Sequence, residues 1–397
     1  MKSTILAAIL LTIGGATAAE GPAPDPRVVT AHSALGFDLL HELDSKPGEN
    51  VFFSPSSIST ALEMTYNGAS GRTKAEMAKS LHLDGRSLDT VNHANQSLRT
   101  SAMSGDPKVK VAIANSLWAQ KGFPFLATFM QPVRRLYAAA VENVDFGVPT
   151  VNQRINAWVE QRTNGKIRNL LPRLNPLTRL VLVNAVYFHG QWTDQFKKAA
   201  THQQPFHPST SSAKQVQMMS RSGQYRYLKG DGFQAIRLPY GSGRFAMYVF
   251  LPDTMDGLRA LSRQANAARL SEWLKGMRPM EGSISLPRFK VEYSQALNTS
   301  LKSLGMRQAF DRSAADFRGM TGRRDLYIGL VQHKAFVDVN EEGTEAAAAT
   351  AVVMVGRAAP GPHGFVMVVD HPFLCAIRDD QTGEILFLGT IYDPTTN

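Results

Sequence analysis

The chain reads as an α+β protein of one domain, with helices dominating its first half and strands its second. Three features carry this reading. Helical apolar stripes with capping residues fill the region up to residue 166, and apolar β-branched and aromatic runs dominate from residue 179 onward. No internal repeat and no long linker separates the halves, which argues for one domain built on large sheets.

The elements can be justified in order. Val28, Ala31, Leu35, Leu39 and Leu43 form one helical stripe over 28–43, stopped by "DSKPG". In "SPSSISTALEMTYNG" (54–68), Ser54 is placed to cap, Pro55 takes the first helical position and Asn67-Gly68 ends the helix. Thr73-x-x-Glu76 has the spacing of a capping box for a third helix. "NQRINAWVEQRTNGK" (152–166) predicts another, ended by Asn164-Gly165. "RLVLVNAVYF" (179–188) is almost continuously apolar, as for a strand covered on both faces. "FAMYVFLP", "ISLPRFKVEY", "KAFVDVN" and "EILFLGTIY" add further strands.

Composition bounds the function. Hydrophobic residues make up 43% and charged residues 19%, the balance of a soluble protein with a substantial core. The formal charge of +10 is spread along the chain, so polyanion attraction is conceivable, whereas no nucleic-acid or membrane partner is expected. Lys2, the apolar run "ILAAILLTIGG" and the small residues "ATAAE" read as an export signal over residues 1–18. Residues 19–397 are then the mature domain, secreted to an extracellular or periplasmic space. The single cysteine, Cys375, lies in an apolar run; it cannot form an internal disulfide, and stability must come from burial.

Enzyme motifs fail one by one. "HELDS" (41–45) has serine where a zinc-protease helix needs its second histidine, and neither G-x-S-x-G nor a P-loop occurs. "GDGFQA" (230–235) matches a loose dinucleotide fingerprint but lies between strand-like runs, where a turn is expected. The histidines lack ligand spacing. No catalytic residue, metal site or cofactor is expected.

"EEGTEAAAATAVVMVGRAAPGPHG" (341–364) stands apart. Alanine favours a helix, but the flanking "KAFVDVN" and "AVVMV" favour strands. As a strand from Thr344, one face would carry Thr344, Ala346, Ala348, Thr350, Val352 and Met354, which are small to medium and uncharged. The other face would carry Glu345, Ala347, Ala349, Ala351, Val353 and Val355. Such a segment tolerates exposure as a loop and burial in a sheet, with Gly343 as hinge.

Many stretches, in order, resemble the serpin family over nearly the whole mature chain. They include "NVFFSPSSISTALEMTYNGASGRTKAEM" (50–77), "INAWVEQRTNGKIRNLLP" (155–172), "LVLVNAVYFHGQW" (180–192), "HKAFVDVNEEGTEAAAATA" (333–351), "HPFLCAIRD" (371–379) and "ILFLGTIYDP" (385–394). The resemblance implies three β-sheets, about nine helices and an exposed reactive-centre loop, here about 341–364. It further implies a monomeric, non-catalytic inhibitor that a serine protease attacks as substrate, forming a covalent acyl-enzyme complex. The cleaved loop then enters the main sheet as a new strand.

Residue roles follow from the same resemblance. Glu341, Gly343, Thr344, Glu345, Ala346, Ala347, Ala348 and Ala349 match the loop hinge of inhibitory members. Ser54, Ser57, Asn184 and His333 match a polar "shutter" beneath the main sheet. Trp192 matches the "breach" at its top, where Glu341 is expected to pair with Arg288. The sixteenth residue after Glu341 is Arg357, which makes Arg357–Ala358 the expected reactive bond. Arg357 is also the only Lys or Arg between Lys334 and Arg378, a handle for trypsin-like proteases in an antithrombin-like loop. A cut at Val353 or Met354 would instead suit elastase-like or chymotrypsin-like enzymes, and a non-inhibitory carrier or chaperone is the remaining alternative. The segment 85–103 carries only Arg86 and Arg99, so heparin activation through a basic early helix is not expected.

Overall fold

The computed structural model describes residues 23–46, 48–103, 106–344 and 364–396. The first half holds α1 (Pro26–Leu43), β1 (Val51–Phe53), α2 (Pro55–Tyr66), α3 (Gly71–Ser80) and α4 (Leu88–Met103). Then come β2 (Val109–Gln120), α5 (Ala127–Tyr137), β3 (Ala140–Val144), α6 (Val151–Arg162) and β4 (Leu180–Gln191). A run of strands follows: β5 (Thr201–Ser209), β6 (Ser212–Lys229), β7 (Phe233–Tyr240) and β8 (Phe245–Pro252). Next are α7 (Leu258–Gln264), α8 (Ala267–Gly276), β9 (Arg278–Pro287), β10 (Phe289–Ala296), α9 (Asn298–Ser303) and α10 (Arg318–Thr321). The chain closes with β11 (Leu330–Val339), β12 (Gly343–Thr344), β13 (Phe365–Val368), β14 (Phe373–Asp379) and β15 (Ile385–Ile391).

Local chemistry explains the helix starts. Asp25 accepts the Arg27 amide at 2.8 Å ahead of Pro26, and Ser54 Oγ accepts the Ser57 amide ahead of Pro55. The α6 helix ends before Asn164 and Gly165, both at positive φ. The expected capping box at Thr73 and Glu76 does not form. The α3 helix starts three residues earlier, with Ser70 as N-cap, because tertiary partners claim both side chains. Thr73 Oγ1 accepts the Asp316 amide, and Glu76 accepts the amides of Arg307 and Gln308. "GDGFQA" forms the turn between β6 and β7, with Gly232 at φ +76°.

The strands form two sheets rather than the three expected. One has the order β1-β15-β14-β8-β7-β6-β9-β13, with β5 added beside β6. It is continuous because the 18-residue β6 serves both ends: it pairs β5 from residue 212, β9 through 218–227 and β7 through 226–229. The second sheet has the order β10-β11-β12-β4-β2-β3. "ISLPRFKVEY" is not one strand, since it breaks at Arg288 and passes from the nine-stranded sheet to the six-stranded one. Ten α-helices occur among the described residues.

The β4 strand lies between cores, as its apolar run predicts. Val181, Val183, Ala185 and Tyr187 pack with Ile155 and Val159 of α6, while Val186 and Phe188 face Trp192, Tyr240 and Phe245 toward the nine-stranded sheet. Cys375 is buried, and burial pushes its thiol up to about 12, so it behaves as a core residue.

One charged group is fully interior. His32 of α1 donates through Nδ1 to Glu384 at 2.7 Å and through Nε2 to Glu63 of α2 at 3.1 Å. Burial opposes its protonation, but Glu384 and Glu63 outweigh it and raise its pKa well above the usual imidazole value. Replacing the imidazolium strands two carboxylates. His32→Leu should therefore destabilise the fold by about 3–5 kcal/mol, read as a lowered denaturation midpoint.

Candidate functional site

The six-stranded sheet has a seam between β11 and β4. Below, the two strands pair directly and in parallel, from Leu330↔Val181 to Phe336↔Tyr187. Above, β12 separates them, antiparallel to both: Thr344 pairs with Val339 and Gly190, and Gly343 with Gln191. Gly343 sits at φ +154°, and a β-carbon there would lie 2.0 Å from Gly190 O. Only glycine fits this entry. Thr344 is fully buried, its hydroxyl 2.7 Å from Tyr240 Oη. The segment that continues from it, with Glu345, Ala346, Ala347, Ala348, Ala349, Arg357 and Ala358, lies outside the described residues.

Midway down the seam, His333 of β11 is directly opposite Asn184 of β4. The Ser54 amide donates to His333 Nε2 at 3.2 Å, which makes Nδ1 the protonated nitrogen, and Nδ1–H donates to Asn184 Oδ1. Asn184 Nδ2 donates to Ser57 O at 2.9 Å and also meets Ser57 Oγ and Asn115 Oδ1. The four residues singled out in the sequence thus form one network, tying both strands to the start of α2. Asn115 of β2 is the member that sequence reasoning missed; its strand pattern carries no signal beyond a polar residue in an apolar run. Burial pushes His333 down to about 3, so it stays neutral and is a structural, not a catalytic, imidazole.

At the top of the seam the chain before β12 is held tightly. Trp192 Nε1 donates to Asn340 O at 2.9 Å, and its amide donates to Glu342 O at 3.0 Å. The indole stacks on Tyr240 with centroids 4.3 Å apart. Glu341, only 2% exposed, accepts from Arg288 Nε at 2.8 Å and from the Thr201 hydroxyl. Burial would raise the Glu341 pKa, but Arg288 and Thr201 together hold the carboxyl below its usual value. The strand break at Arg288 makes this pair possible: it sets the guanidinium between the two sheets. The far end of the segment is anchored by β13, where Phe365 stacks on Tyr227 at 4.0 Å.

The His333 shift has a signed consequence. An unfolded imidazole takes up a proton near pH 6.5, whereas the folded one refuses it until about pH 3. The unfolded state therefore binds more protons between these values, and stability falls as pH falls. Between pH 7 and pH 5 this residue should remove about 2 kcal/mol. Urea unfolding of the wild type and of His333→Gln at both pH values checks this: the variant should lose that part of the pH slope.

Comparisons with known proteins agree over nearly the whole chain. A family model described as Serpin (serine protease inhibitor) matches residues 30–394. Serpin B6 of Pongo abelii is 40% identical over 373 residues, which cover 92% of this chain and 98% of the relative. The leukocyte elastase inhibitor of Homo sapiens is 37% identical over 378 residues, with 92% and 99% covered. Among solved structures, Serpin48 of Tenebrio molitor has a TM-score of 0.84 at 30% identity, covering 95% of this chain and all of the other. Human thyroxine-binding globulin complexed with thyroxine has a TM-score of 0.85 at 28% identity, covering 93% and 99%. The curated relatives overturn one expectation: they are clade B serpins, intracellular and without signal peptides, so the secreted assignment does not stand. Family model, relatives and fold together show that this chain belongs to the serpin family of serine protease inhibitors.

Proposed function

We propose that this serpin is a suicide inhibitor of trypsin-like serine proteases, cut between Arg357 and Ala358 and completed by insertion of the cleaved loop along the seam. The observation that carries the reading is β12, wedged antiparallel between β11 and β4 above a stretch where those strands pair in parallel. Extending β12 downward would exchange one parallel ladder for two antiparallel ones, which are the more stable pairing per residue. The attacking serine forms an ester with the carbonyl of Arg357 and releases the amine of Ala358. Loop insertion must then outrun ester hydrolysis, which at a typical turnover on the order of 10 s⁻¹ leaves roughly 0.1 s. Thr344, Ala346 and Ala348 suit this race because small uncharged side chains enter a sheet interior at little cost.

A second reading has a specific support, since the curated relatives include proteins named leukocyte elastase inhibitors. In that reading the cut falls after Val353 or Met354, and the target is elastase-like.

The test is incubation with trypsin, thrombin and elastase in parallel, with denaturing gels and mass spectrometry of the released C-terminal peptide. A covalent band with trypsin or thrombin and a peptide beginning at Ala358 is expected. A peptide beginning after Val353 or Met354, with a covalent band only for elastase, would favour the second reading. Arg357→Leu should lower the rate of trypsin inhibition by at least about a hundredfold, on the scale of a lost charge-assisted pair of about 3 kcal/mol, without changing thermal stability. Thr344→Arg should yield cleavage at the same bond without a covalent band, because the guanidinium would have to enter the sheet interior now occupied by the Thr344 side chain.

A further inference from the structure

The row of side chains one position below Thr344 is charged on both sides of the seam. Lys110 of β2 pairs with His189 of β4, and across the seam Asp338 of β11 pairs with Lys290 of β10. These four lie on the face away from the nine-stranded sheet, since Val109, Val339 and Phe289 of Thr344's own row pack toward that sheet. His189 is half-buried, and the charged groups that act on it are Lys110 and Lys166, both positive. Burial and these two lysines hold its pKa below the usual imidazole value, so in the intact chain it is neutral at pH 7.

The register fixes what would meet it. Thr344 is opposite Gly190 and Val339, antiparallel to both strands, so one more residue of β12 falls opposite His189 and Asp338. That residue is Glu345, just beyond the described end of the strand. Successive side chains of a strand alternate, so Glu345 would enter the charged row rather than the inner face that Thr344 occupies. There Asp338 repels it, while an imidazolium at His189, backed by Lys110, attracts it. Only a protonated His189 gives Glu345 an adjacent cation in this row.

We infer that His189 is a positioning residue for loop insertion, the cation that Glu345 meets when the cut loop extends β12. The inference rests on the insertion reading above but not on which bond is cut. Its sign follows from proton binding. An arriving carboxylate favours the imidazolium, so the inserted form binds more protons than the intact form around neutral pH. Insertion therefore gains as pH falls from 8 to 6, a range in which an imidazole titrates and a carboxylate stays ionised.

The test is guanidinium denaturation, at pH 8 and pH 6, of the full chain intact and of the same chain nicked in the loop by trypsin or elastase. The nicked form should unfold at higher denaturant than the intact form, and this excess should grow at pH 6. The growth expected is about two- to fivefold in the insertion equilibrium, the scale of one cross-strand ion pair. His189→Gln and Glu345→Gln should each abolish the growth, and the double variant should lose no more than either alone. If His189→Gln does not fold, Glu345→Gln carries the same comparison. A nicked form no more resistant than the intact chain would overturn the insertion reading and this inference with it. A resistant nicked form whose excess ignores pH, or keeps its pH dependence in either variant, would leave insertion standing and overturn the role of His189.

Discussion

Residues 330–336 and 181–187 lie side by side in parallel, and a few residues further up the same two strands are parted by Gly343 and Thr344. A sheet that is split at one end and closed along the rest is under a specific constraint: whatever holds the closed part must be able to let go without leaving polar groups bare. Parallel pairing is the weaker ladder, and the strand already started at the top is antiparallel to both neighbours. The direction in which this sheet can gain stability is therefore built into its strand order.

The polar network at the seam answers the same constraint. A histidine and an asparagine in a sheet interior would be costly if unpartnered, yet each is satisfied, and several partners come from the start of α2 rather than from the opposing strand. The helix can keep a set of donors and acceptors in place beneath the strands. Keeping His333 neutral is part of that arrangement, since a charged imidazole could not accept from the Ser54 amide. At the top, Trp192, Tyr240, Arg288 and Glu341 hold the chain on the threshold of the seam through stacking, two backbone contacts and one half-exposed ion pair.

Much of this was legible in the sequence because local chemistry acts through neighbours. Ser54 before Pro55, Asn164 before Gly165, and the unbroken apolar run into Asn184 act over one or two helical turns or along a single strand, and they appear where expected. Three features escaped. Thr73 and Glu76 have capping spacing but are drawn to Asp316 and to Arg307 and Gln308, more than 200 residues away, so tertiary partners outcompeted the local motif. The third sheet vanished because β6 is long enough to belong to both halves. Asn115 carries a seam role that only the β2–β4 register reveals.

By itself the sequence determined the α+β class, most helix and strand positions, and a small-residue segment suited to both exposure and burial, because side-chain volume, periodicity and capping are properties of short windows. Tertiary structure alone decided that Gly343 and Thr344 already part β11 from β4, that a strand break falls at Arg288, and that His32 is shared by Glu63 and Glu384 in the interior. Each depends on which distant residues share a few ångströms, and that follows from register and from the packing of two sheets, which no local pattern encodes.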